Sequence, residues 1–145
     1  MTEDIFHLGI KALLRNAAGE ILLLQVNPEK LHGERRDYWD LPGGRVQKGQ
    51  TVLETLQREV AEETGITGID AAKEVGMMLA NIRIPLGSDG DTVGLILGVY
   101  ECTAVHDAVT LSDEHIAYAW CTPQEAAERL TVKYPAHFCA LITHL

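Results

Sequence analysis

Gly44-Arg45-Val46-Gln47-Lys48-Gly49-Gln50 leads directly into Thr51-Val52-Leu53-Glu54-Thr55-Leu56-Gln57-Arg58-Glu59-Val60-Ala61-Glu62-Glu63-Thr64-Gly65-Ile66. The second part reads as a helix with both ends marked. Thr51 followed three residues later by Glu54 has the form of a capping box, and Gly65 stands where a C-terminal cap belongs. Leu53, Leu56, Val60 and Thr64 fall on one stripe at helical spacing, so that stripe is predicted to face a core. At ~100° per residue, Glu63 lies ~40° to one side of Glu59 and Glu62 ~60° to the other, so the three carboxylates share a sector beside the apolar stripe.

Such a cluster opposes the helix that carries it. Like charges at these spacings cost ~0.2–0.5 kcal/mol per pair on an isolated helix. The C-terminal half of a helix also disfavours negative charge, because the macrodipole is negative there. A solvated acidic face is the bland reading of a bare E-x-x-E-E. A divalent cation is the compensation that would give the cluster a use, and an all-oxygen donor set points to Mg²⁺, with Mn²⁺ as a substitute.

Outward from the helix, Ile5 to Leu14 and Ile21 to Val26 read as strands, and Asn16 to Glu20 between them has turn chemistry, so the pair resembles a hairpin. Asn27 to Asp37 is a polar loop, and Tyr38 to Leu41 is a short extended piece ended by Pro42-Gly43-Gly44. Residues 69–84 read as mostly extended, Pro85 to Asp91 as a turn, and Thr92 to Thr103 as a strand buried on both faces. His115 to Cys121 is a further strand. Pro123 to Leu130 and Pro135 to Leu145 read as short helices with proline near the first turn. The expected fold is α/β, a mixed sheet covered by helices in a single domain over residues 1–145.

The chain of 145 residues carries a formal charge of −9, which argues against a nucleic-acid polymer as ligand. A small phosphorylated ligand remains compatible, since a metal ion can supply positive charge locally. Cys102, Cys121 and Cys139 are too few for a disulfide framework and suit a reducing compartment. The start, Met1-Thr2-Glu3-Asp4, lacks the basic and then apolar pattern of a secretory signal, and no apolar run reaches membrane-spanning length. A cytoplasmic protein without a membrane partner, monomeric or homodimeric, is expected. The six histidines, at positions 7, 32, 106, 115, 137 and 144, form no i, i+4 pair, and only His115, beside Glu114, stands near candidate chemistry.

From Gly44 the chain runs Gly44, five residues, Gln50, seven residues, then Arg58-Glu59-Val60-Ala61-Glu62-Glu63-Thr64-Gly65-Ile66. This closely resembles the Nudix box of the Nudix hydrolase family, G-x5-E-x7-R-E-U-x-E-E-x-G-U with U aliphatic, and occupies residues 44–66. Gln50 is the single departure, standing where the family has glutamate. Trp39-Asp40-Leu41-Pro42-Gly43-Gly44 looks like the family's lead-in, and Ser112-Asp113-Glu114-His115 followed by Trp120 looks like a recurrent later segment.

The resemblance implies an α/β/α sandwich and Mg²⁺-dependent hydrolysis of a nucleoside diphosphate linked to another group, with a small nucleotide as the molecule bound. It implies that Glu59, Glu62 and Glu63 hold the metal and that one of them acts as base. Gly43 or Gly44 would add a backbone carbonyl, Arg58 would orient the glutamates, and Glu114 would be a further ligand or base. Gln50 is expected to position Arg58 less firmly while leaving the metal site intact. Arg35, Arg36, Asn81 and Arg83 are candidate substrate contacts, and Trp39 reads as core or as a wall of the substrate pocket. By elimination among the family's subclass signatures, a nucleoside triphosphate or modified deoxynucleoside triphosphate leads, with ADP-ribose or another nucleotide sugar as the alternative. A non-catalytic module that senses a nucleotide or binds a protein is the rival reading.

Overall fold

A computed structural model describes residues 2–31 and 37–145. Eight strands are present among them: β1 (Phe6–Arg15), β2 (Ile21–Val26), β3 (Trp39–Asp40), β4 (Gly43–Arg45), β5 (Asp70–Leu79), β6 (Ile84–Pro85), β7 (Thr92–Thr103) and β8 (His115–Cys121). Three α-helices accompany them: α1 (Val52–Thr64), α2 (Pro123–Arg129) and α3 (Ala136–Ile142).

The main path of the sheet runs β3-β2-β1-β7-β5, with β4 on β1, β6 on β7 and β8 on β2. It is mixed, because β1 lies parallel to β7 over its whole length and antiparallel to β4. The expected β1–β2 hairpin is only a corner. Those strands pair at Arg15 and Ile21 and then splay, β1 turning to β7 and β4, and β2 to β8 and β3. The splay separates two half-sheets, and β4, paired with β1, lies against the C-terminal half of α1 through Glu59 and Glu63.

Side-chain alternation on the strands divides the core into two layers. Ile10, Ala12 and Leu14 of β1, with Leu22 and Leu24 of β2, face Leu56, Val60 and Ile66 at α1. Leu13, Ile21 and Leu23 face the opposite way, toward Leu130, Tyr134, Phe138 and Ile142 around α2 and α3. Helices therefore cover both faces, an α/β/α sandwich, and the central strands are largely apolar because each face is buried, with Lys11 the charged interruption on β1.

The helix α1 begins and ends where its caps predict. The Thr51 hydroxyl accepts from Glu54 N at 3.2 Å, and Gly65 takes a left-handed conformation (φ 74°) while its N–H donates to Ala61 O. Leu53 corrects the expected stripe: it is 54% exposed, whereas Leu56, Val60 and Thr64 are buried. Val52, one position earlier, takes the core contact of the first turn instead. No helix among the described residues is long and apolar enough to cross a membrane.

Candidate active site

Three glutamates on one helix sector end up in three environments. Glu63 is buried at 5% exposure, Glu59 is half-buried and Glu62 is exposed. The difference follows from what faces each. Glu63 Oε1 accepts from Gly43 N at 2.8 Å, which draws the carboxylate under β4 and leaves Oε2 for another partner. Glu59 packs on Gly44 so closely that a β-carbon at that position would collide with its carboxylate. Gly43 has a φ of 150°, and a side chain there would run into the β1 backbone. The glycine pair thus lets β4 lie flat between β1 and the carboxylates of α1.

Arg58 ties the polar edge together. Its Nη1 donates to Glu59 Oε1 at 2.8 Å and approaches Glu62 Oε2 at 3.6 Å, while Nη2 donates to Gln50 Oε1 at 2.9 Å. Glutamine thus keeps the contact to arginine through its amide oxygen, without the charge that would strengthen it.

The second wall comes from the segment before β8. Asn27 N donates to Glu114 O at 2.9 Å, Asn27 Nδ2 to Asp113 O at 3.0 Å, and Lys30 pairs with Asp113 at 3.1 Å. These contacts hold Ser112–Glu114 against the end of β2. At the β2–β8 junction the register shifts between Gln25 and Val26, so His115 pairs with Val26 and turns inward. As a result, ligand-capable atoms of Glu63, Glu114 and His115 lie within 4.8 Å of one another. The imidazole is buried and its Nδ1 has no hydrogen-bond partner. Two carboxylates and an imidazole, with one buried nitrogen orphaned, fit a divalent cation. Glu59 and Glu62 stand outside this tight group, on the adjoining surface of the same helix.

Behind these residues lies a polar cluster that the sequence reading did not identify. Asp40 is 4% exposed; its Oδ2 accepts from Lys11 Nζ at 3.1 Å and Lys133 Nζ at 2.6 Å. Its Oδ1 accepts from Tyr134 OH at 2.6 Å and Leu41 N at 2.8 Å. Lys11 also donates to Leu41 O at 3.3 Å. The signal available in sequence was a lysine inside the apolar run of β1, because a charge buried on such a strand requires a partner.

The protonation states follow these surroundings. Burial pushes the Glu63 carboxyl up to about 8, with nearby Lys11 and the Gly43 N–H only partly opposing it. Glu59 is raised less, chiefly by burial, with Arg58 pulling down and Glu62 pushing up. His115 is lowered by burial and then by Lys11, so its imidazole is neutral near neutral pH. Burial alone would raise Asp40, but the Lys11 and Lys133 ammonium groups and the hydrogen bonds from Lys133 and Tyr134 outweigh it and hold the carboxyl below the usual range.

The remaining candidates lie apart from this group. Trp39 is half-buried against the α2–α3 layer, with the Arg129 guanidinium 4.9 Å from its ring centre. Asn81 donates to Thr131 O and Tyr134 O and so holds the turn after α2. Arg83 is committed to Asp4, at 2.8 and 3.0 Å, and to the Thr92 hydroxyl. Arg35 and Arg36 lie outside the described residues.

The chain is similar to known proteins in sequence and in fold. A sequence profile described as the NUDIX domain matches residues 5–141. The nucleoside triphosphatase NudI of Salmonella paratyphi B is 32% identical over 91 residues, an alignment covering 61% of this chain and 64% of that protein. The chain thus spans just under two thirds of the length of the curated relatives it matches. The crystal structure of a MutT protein from Methanosarcina mazei Go1 superposes with a TM-score of 0.73 at 31% identity, over 99% of this chain and 95% of that one. The Escherichia coli dihydroneopterin triphosphate pyrophosphohydrolase shares the fold with a TM-score of 0.71 at 18% identity, over 97% of each chain.

Proposed function

The chain belongs to the NUDIX domain family, and from that premise we propose that it is a Mg²⁺-dependent hydrolase of nucleoside triphosphates, cleaving a phosphoric anhydride bond. The observation that carries the proposal is Glu63: a buried carboxylate with one oxygen held by the Gly43 N–H, grouped within 4.8 Å with ligand-capable atoms of Glu114 and His115. Apart from its bond to β4, a buried acid so placed adds little to the fold, whereas it is pre-positioned for a cation. The choice of triphosphate rests on the similarity to NudI, a nucleoside triphosphatase.

In this reading Glu59, Glu62 and Glu63 are the metal ligands on α1, Glu114 adds a carboxylate from the opposite wall, and the backbone at Gly43 and Gly44 lines the site. Bound Mg²⁺ supplies charge neutralisation at the phosphate oxygens and acidifies a bound water. The protein holds the reacting groups in place. Arg58 fixes the Glu59 rotamer through the 2.8 Å contact and is itself braced by Gln50. One of these glutamates, or Glu114 on its pinned segment, would take the proton from the attacking water. The Lys11 ammonium, turned toward Asp40, remains out of the carboxylate group.

The test is to incubate the pure protein with Mg²⁺ and a panel of nucleoside and deoxynucleoside triphosphates and to measure phosphate, pyrophosphate and monophosphate products. Turnover of at least one triphosphate is expected, lost in Glu63→Gln. A panel with no turnover above that variant, at millimolar Mg²⁺ and enzyme in stoichiometric amounts, would overturn the proposal.

A further inference from the structure

We propose that His115 supplies a nitrogen ligand to the cation held by Glu63 and Glu114, so that this centre selects Mn²⁺ and other first-row transition ions over Mg²⁺. The proposal rests on the reading of Glu63 as a metal ligand and goes beyond the all-oxygen set expected from the helix alone.

Three observations meet at this residue. The ligand-capable atoms of Glu63, Glu114 and His115 all lie within 4.8 Å of one another. Metal–ligand bonds of ~2.0–2.2 Å bring two donors on one ion to ~3–4.4 Å apart, so a small closing movement of exposed Glu114 completes the set. Second, His115 is 9% exposed and its Nδ1 is an orphan. A buried ring nitrogen without a partner is uncommon unless something absent from the protein chain satisfies it. Third, the charged groups of the neighbouring buried cluster are already committed. Both oxygens of Asp40 are filled by Lys11, Lys133, Tyr134 and the Leu41 N–H, and Lys11 is spent on Asp40 and Leu41 O. What the imidazole does have within reach is the carboxylates of Glu63 and Glu114.

The choice of ion follows from donor chemistry. Mg²⁺ takes oxygen ligands and water and gains little from imidazole, whereas affinity for a nitrogen-containing site rises through the first-row divalent series from Mn²⁺ onward. Replacing His115 should thus weaken Mn²⁺ and Co²⁺ binding by about tenfold or more while changing Mg²⁺ binding little.

Electron-spin-echo envelope modulation of Mn²⁺ bound to the full chain, without nucleotide, is the direct test. The expected spectrum shows coupling to a directly coordinated imidazole nitrogen, altered by ¹⁵N-histidine labelling and lost in His115→Gln, whose fold is checked by circular dichroism. If His115→Gln does not fold, the labelled wild type combined with Glu114→Gln decides. That variant should weaken Mn²⁺ about tenfold and keep the nitrogen coupling. Bound Mn²⁺ showing only oxygen and water couplings overturns the proposal, as does failure to bind Mn²⁺ at millimolar concentration. Hydrolysis with Mg²⁺ is scored separately. Turnover without nitrogen coupling sinks the histidine ligand alone, and nitrogen coupling without turnover sinks the hydrolase reading alone.

Discussion

Replacing Asp40 by asparagine probes the buried polar cluster most sharply. The carboxylate accepts four hydrogen bonds, two of them from ammonium groups at 3.1 and 2.6 Å. Asparagine keeps one acceptor, enough for Tyr134 or the Leu41 N–H, but presents an amide N–H₂ or a neutral oxygen where Oδ2 stood. Two lysines, each 8% exposed at the side chain, then share a buried space without a counter-charge. Breaking a buried ion pair from one side costs ~3–5 kcal/mol, and here two pairs break at once, so the loss should lie at or above the upper end. That is a large share of the ~5–15 kcal/mol by which a domain is stable. Urea denaturation at pH 7 should therefore show a midpoint reduced by about half or more with an unchanged slope. A loss under ~1 kcal/mol would refute the assignment of Asp40 as the charge that holds Lys11 and Lys133.

Two further outcomes follow from the carboxylates. Because burial holds Glu63 at about 8, metal-free protein at pH 7 keeps it mostly protonated, so cation binding should release close to one proton and tighten as pH rises toward 8. Calorimetry in buffers of different ionisation enthalpy measures that release, and a proton-neutral binding event at pH 7 argues against Glu63 as ligand. The same shift makes metal-free protein less stable as pH rises from 4.5 to about 8, since the folded state binds the extra proton over that interval. Gly44→Ala should push the Glu59 carboxylate away from its seat and lower kcat about 10–100-fold while the melting temperature moves little. An alanine variant with full activity would mean that the close packing of Gly44 on Glu59 is incidental.

How much of this was legible in the sequence depends on the distance over which the cause acts. Helix α1 was readable because Thr51, Glu54 and Gly65 act within a turn of the ends they define. Leu53 was misread because helical spacing gives a face but not which of two adjacent positions, Val52 or Leu53, takes the core contact at its edge. The β1–β2 corner was read as a hairpin because the turn at Asn16–Glu20 is local, whereas the splay is imposed by β7, β4 and β8 claiming the strands beyond it. Asp40 and Lys133 stand 93 residues apart, so no window of sequence could pair them. His115 was tied to the site only through its neighbour Glu114. What turns it inward is a register shift opposite Val26, which no local pattern records.

The buried lysines then explain a property of the carboxylate site that the helix alone does not. Glu63 needs a free oxygen, yet Lys11 is near enough to attract it electrostatically. Left alone, that ammonium would make the natural partner of Glu63 and occupy the position a cation must take. Asp40 prevents this by holding Lys11 at 3.1 Å through Oδ2, with Leu41 O taking a further donor at 3.3 Å. Lys133, on the same oxygen at 2.6 Å, fixes Asp40 in turn, and Tyr134 locks its other oxygen. The acid in the Trp39–Leu41 segment therefore serves Glu63 without touching it, by keeping the nearest positive side chain engaged elsewhere. This predicts an order of effects: loss of Asp40 should impair cation binding even in molecules that remain folded, because a released Lys11 can then compete for Glu63 directly.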